Sequence, residues 1–124
     1  MIYPKIFEKI KNDLDVQAEL GSNPVRFFPF GNVPETLKSD KYASWSVING
    51  NPQNTLACSP KSDIWSIQVD VWANSADETR SAATALIKCL EKTCYIDRIG
   101  GDSRDFETKR YRYSFDVTII QNRD

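Results

Sequence analysis

The chain has 124 residues, 40% of them hydrophobic and 27% charged, which is enough for one domain with its own core. Sixteen Lys and Arg stand against seventeen Asp and Glu, a formal net charge of −1, so electrostatics favour neither a nucleic-acid backbone nor an anionic membrane. There is no histidine, which removes the commonest general base, the commonest metal ligand and every Ser–His or Cys–His pair.

Residues 1–11 already alternate charged and apolar side chains, so no signal peptide is expected, and no apolar run is long enough to cross a bilayer. Pro4 suits the first turn of a helix, where its missing amide would have no partner anyway. Ile6, Phe7, Ile10 and Leu14 then form an apolar stripe, with Lys5, Glu8, Lys9 and Asn12 facing away, which predicts an amphipathic first helix. Asp13 or Asp15 ends it and caps a further turn over residues 16–20, closed by Gly21. Residues 24–31 carry two prolines, which confines this extended segment to a sheet edge or to a strand that soon leaves the sheet. A loop over residues 31–41 leads to a strand over 42–48, where Ala43, Trp45 and Val47 alternate with serines. Asn-Gly-Asn-Pro-Gln-Asn at residues 49–54 is turn chemistry, and the connection onward to Asp63 is long. Long connections often carry function; a flexible hairpin extension is the equal alternative.

The segment over residues 63–90 organises the rest. Trp65, Ile67, Val69, Val71 and Ala73 fall on one side of a strand, and Ser66, Gln68, Asp70 and Trp72 on the other. Asn74 and Ser75 stop it, and Ser75 with Glu78 forms a capping box for a helix with Thr79, Ala83, Leu86, Ile87 and Leu90 on its buried stripe. Asp77 and Glu78 at its start and Lys88 and Lys92 near its end suit the macrodipole. Beyond it, residues 94–96 predict a brief strand, residues 97–104 a turn around Gly100 and Gly101, and residues 106–120 a long final strand. Tyr111, Tyr113, Phe115, Val117 and Ile119 share one face of that strand; Arg110, Arg112, Ser114, Asp116 and Thr118 share the other. Helix, three strands, helix and final strands predict an α+β fold of two layers. Its sheet is mainly antiparallel or mixed, of about four to five strands, with two helices packed on one face.

No constellation of residues selects a catalytic, cofactor or metal site. Cys58, Cys89 and Cys94 are odd in number and follow no zinc spacing, and they read as reduced thiols in a cytosol. Gly100-Gly-Asp lacks the spacing of a phosphate loop. Asp70 is expected to pair across strands with Arg110 or Arg112 rather than to do acid–base work. Residues 109–113, Lys-Arg-Tyr-Arg-Tyr, interleave cations with aromatics as single-strand nucleic-acid grooves do, but strand alternation sends the two kinds to opposite faces. Phe27, Phe28 and Phe30, near Trp45 and Trp72, are mostly core; Trp72 on the polar face, or a phenylalanine beside Pro29, would suit a subunit interface.

The order of elements, with Asp15-Val16-x-Ala18 before Gly21, Val25-Arg-Phe-Phe-Pro29, Trp45-Ser-Val-Ile48 and Ile67-Gln-Val-Asp-Val-Trp-Ala73 followed by Ser75 and an alanine-rich helix, resembles the small tail-completion or tail-terminator proteins of long-tailed bacteriophages and prophages. The resemblance covers nearly the whole chain and implies a single domain over residues 1–124. It implies a non-enzymatic virion protein, assembled in the bacterial host cytoplasm. Such proteins form a hexameric ring on the tail, stop growth of the tube and meet the head-side connector. The implied partners are further copies of the chain, the tail tube protein and the connector, with no membrane and no sequence-specific nucleic acid. Interface candidates chosen from exposure and loop length are Phe28, Phe30, Asn51, Gln53, Trp72, Arg98 and Arg104. The alternative is a small nucleic-acid- or ligand-binding α+β module.

Overall fold

The alternating segment around Ile67 becomes the central strand of a five-stranded sheet. The computed structural model describes residues 2–37, 40–54 and 59–123. In chain order these form α1 (Ile6–Ile10), α2 (Leu14–Leu20), β1 (Phe27–Pro29), a 3-10 turn (Glu35–Leu37), β2 (Tyr42–Pro52), β3 (Ser62–Ala73), α3 (Ala76–Leu90), β4 (Tyr95–Arg104) and β5 (Tyr111–Asn122). The sheet order is β1-β2-β3-β5-β4. The three pairings from β2 to β4 are antiparallel, but β1 runs parallel to β2, so the sheet is mixed. The parallel pairing follows from the connection: β1 leaves the sheet at Pro29, and the chain returns through the 3-10 turn to start β2 beside it.

Period-2 alternation decides which face is buried. In β3, Trp65, Ile67, Val69, Val71 and Ala73 are all buried, and Ile119, Val117 and Phe115 of β5 lie in register with Trp65, Ile67 and Val69. Ile6 and Ile10 of α1, Val16 and Leu20 of α2, and Ala82, Ala83, Leu86 and Leu90 of α3 close the same core. Each large side chain buried there contributes about 1.5–3 kcal/mol before conformational entropy is subtracted.

Local signals behave as expected at two helix starts. Ser75 Oγ accepts from the Glu78 amide at 3.2 Å, while the Glu78 carboxylate accepts from the Asn74 amide at 3.3 Å, one residue before the serine. Asp13 caps α2 by accepting from the Val16 amide at 3.0 Å, and Gly21, at φ 84°, ends it. That cap splits the expected single stripe into two short helices, and Leu14, now at the start of the second, points to solvent at 78% exposure.

Three boundaries differ from the sequence reading. Residues 49–52, expected as a turn, extend β2: after a bulge between Val47 and Asn49, Asn49 to Pro52 pair with Ser66 to Asp63. The long connection therefore shrinks, because paired strand forms both of its ends; residues 55–58, including Cys58, lie outside the described residues. Residues 97–104, also expected as a turn, are strand β4, which absorbs its glycines in register shifts between Ile96 and Arg98 and between Ile99 and Gly101. The final strand begins at Tyr111 rather than at Phe106, because Asp105 folds residues 105–110 into a tight turn: its carboxylate accepts from the Glu107 amide and from the Thr108 hydroxyl.

Candidate functional site

The helices leave one face of the sheet uncovered. Across it run Tyr42, Ser44 and Ser46 of β2, Gln68, Asp70 and Trp72 of β3, Arg112, Ser114, Asp116 and Thr118 of β5, and Tyr95 and Arg98 of β4. Its charges are organised in cross-strand pairs. Arg112 Nε donates to Asp70 at 3.2 Å, with its guanidinium 5.7 Å from the Trp72 ring centre, and Gln68 also donates to Asp70 at 3.2 Å. Arg98 Nε donates to Asp116 at 3.0 Å, and Thr118 donates to Asp97. Opposite charges facing each other across strands stabilise the sheet by fractions of a kcal/mol each.

The interface candidates fall in three places. Phe30 is 81% exposed and shares with Val33, Tyr42, Ser44 and Trp72 the wall of a hollow of about 260 Å³. Trp72 also lines an adjoining hollow of about 320 Å³ with Ser103, Arg104, Asp105 and Arg112. Phe30, Trp72 and Arg104 are thus gathered at one end of the open face. Phe28 is half-buried beside Ser44, and Arg104 stacks over Tyr111 with its guanidinium 5.2 Å from the ring centre. Asn51 and Gln53 lie at the opposite end, exposed on the extension that β2 and β3 build, where the Gln53 amide donates to the Ser62 carbonyl at 3.0 Å. Arg98 stands apart on β4, on the wall of a groove of about 600 Å³ with Ile87, Tyr95, Ile96 and Ile99.

Two prominent groups escaped the sequence reading. Phe106 is 96% exposed at the tip of the turn that Asp105 builds, and Tyr95 and Ile99 are 68% and 56% exposed along β4. The signal for the first was present: Asp-x-x-Thr at residues 105–108 is turn chemistry, and clean alternation starts only at Tyr111. For the second there was none, since Gly100-Gly101 reads as a turn wherever register shifts are not foreseen.

The thiol and carboxylates with shifted ionisation are held in packing or in clasps between elements. Among the described residues no group of three or more Cys, Asp or Glu side chains could hold a metal ion. Burial, reinforced by the neighbouring Asp13 carboxylate, pushes the Cys89 thiol up to about 11, opposite to the activation a nucleophile needs. Lys41 and Ser81 bond to the Glu19 carboxylate, and Arg123 to that of Asp63, and both carboxyls are held below their ordinary range. These groups clasp elements together and do not converge on a reacting centre. Among the described residues no helix is long and apolar enough to cross a membrane.

No known protein family matches the chain, and no curated protein matches it. Solved structures do. One similar chain belongs to the virion of a native gene transfer agent (GTA) particle, with a TM-score of 0.71 at 11% identity, covering 95% of this chain and 92% of that one. The two chains share a fold. The likeness spans nearly the full length of both chains.

Proposed function

We propose that this chain is a structural virion protein of a phage-type particle. It forms a ring at the end of the tail tube, stops tube growth and presents the surface that joins tail to head. The observation that carries the reading is the end-to-end fold likeness to a chain of a gene transfer agent virion. Three features agree with it. Cys89 is buried with its thiol pushed up, and Asp63 is committed to Arg123, as befits structural rather than reacting groups. Exposed Phe30 and Phe106 sit on structured segments beside hollows, as aromatic anchors of subunit contacts do. The chain also has different surfaces at its two sheet edges, β1 and β4, and a ring needs a patch that meets a different patch on the next copy.

The single-strand nucleic-acid reading draws no support from the geometry of residues 109–113. Arg110 is buried, donating to the Asp40 carbonyl and lying 5.6 Å from the Tyr42 ring centre, while Arg112 is paired with Asp70. Co-sedimentation with purified tail tubes tests the role itself. The protein is expected to pellet with tubes at a ratio set by the number of tube ends and to stop their lengthening. Binding along the tube wall, or none, would remove the terminator role.

A further inference from the structure

A further hollow lies where the N-terminal segment meets the ends of β3 and β5, beside the arm that carries Asn51 and Gln53. It has a volume of about 420 Å³ and is lined by Ile2, Tyr3, Lys5, Asp63, Gln121, Asn122 and Arg123. That is within the range of about 300–1,000 Å³ typical of small-ligand sites. Its walls are held by specific bonds. The Gln121 side chain accepts from the Lys5 amide at 2.7 Å and donates to the Tyr3 carbonyl at 2.9 Å, which pins the N-terminal segment over the end of β5. Opposite, Asp63 is 4% exposed and takes both its bonds from Arg123, from Nε at 2.8 Å and from Nη2 at 2.6 Å. The Arg123 amide donates to the Lys61 carbonyl at 2.7 Å, fixing the backbone as well.

This clasp has a chemical consequence. A buried carboxylate that receives a two-pronged guanidinium is neutralised, and the guanidinium is held in one orientation. Nη1 of Arg123 and Nζ of Lys5 have no acceptor among the described residues, and both belong to side chains that line the hollow. Among the described residues that line it, the titratable groups are Tyr3, Lys5, Asp63 and Arg123, and Lys5 is the cation left over once Asp63 and Arg123 pair. Asn122 adds an amide donor.

We infer that this hollow binds an oxyanion, a carboxylate or a phosphoryl group, with Lys5 and the outward nitrogen of Arg123 as its cationic contacts and Asp63 as the residue that positions the arginine. The ligand is a small anion from solution.

Titration of the full chain at neutral pH with inorganic phosphate and, separately, with succinate, at constant ionic strength, tests it by backbone amide resonances. Saturable shifts confined to Gln121, Asn122, Arg123 and the segment around Lys5 are expected at around millimolar concentration. Lys5→Ala, at an exposed side chain outside the Asp63 clasp, weakens them roughly tenfold while the rest of the spectrum stays in place. Saturation by phosphate alone assigns a phosphoryl ligand; saturation by succinate as well assigns a carboxylate. Shifts that never saturate, or that persist unchanged in Lys5→Ala, overturn the site.

Discussion

Gly50 lies against the Trp65 indole so closely that a Cβ there would stand 2.6 Å from the ring. Gly50→Ala should therefore destabilise the protein by about 1–3 kcal/mol, the cost typical of overpacking, as read from the urea midpoint. An unchanged midpoint would mean that the indole has room to move. At Cys89 the prediction is chemical: with the thiol pushed to about 11 and the residue buried, a thiol reagent at pH 8 should label it only as fast as the protein opens, in peptide maps that separate it from Cys58. Rapid labelling of Cys89 in the folded protein would contradict that environment. Several residue-scale features were legible from alternation alone, including the Asp70–Arg112 pair and Trp72 on the polar face. Arg110 was not. Counting back two from Arg112 places it on the open face, but the positive φ of Lys109 breaks the alternation one residue earlier and turns Arg110 inward to the Asp40 carbonyl.

Among the elements, α3 carries the clearest sequence signature and its cap is correspondingly testable. Ser75→Ala should cost about 1 kcal/mol, measured by urea denaturation, because it orphans the Glu78 amide at the helix start. The clasps between elements set the acid limit. Asp13, Glu19 and Asp63 are all held below their ordinary values of 3.8, 4.5 and 3.8, by the Val16 amide, by Lys41 and by Arg123 respectively. A depressed carboxyl stabilises the fold above its unfolded value and loses that contribution as pH falls through its folded value. The urea midpoint should thus hold from neutral pH down to about 5 and fall below about 4, with a shallower fall in Asp63→Asn. A midpoint that rises on acidification would show that these clasps do not govern stability. The strand ends explain which elements were readable. β3 and most of β5 announce themselves because one face is buried along their length, whereas the outer part of β2 and all of β4 have exposed neighbours and turn-type residues, so composition pointed to loops where pairing imposes strand.

At the scale of the molecule, two layers and one core were readable because both long strands and the alanine-rich helix show their buried sides in sequence. The parallel β1 was not, since nothing local encodes the partner of a three-residue strand. The exposed aromatics were readable only in part: Phe30 and Trp72 were singled out and do adjoin, whereas Phe106 was hidden by an over-long strand. If Phe106 and Phe30 anchor contacts between copies, Phe106→Ser and Phe30→Ser should weaken association while leaving the urea midpoint within about 0.5 kcal/mol of the parent, since both side chains are exposed. Loss of stability without loss of association would assign them to folding instead. The most direct test of the central claim is the solution mass over a wide concentration range, by light scattering behind a sizing column. A closed species near six copies is the predicted result; a single-copy mass at every concentration would contradict the ring.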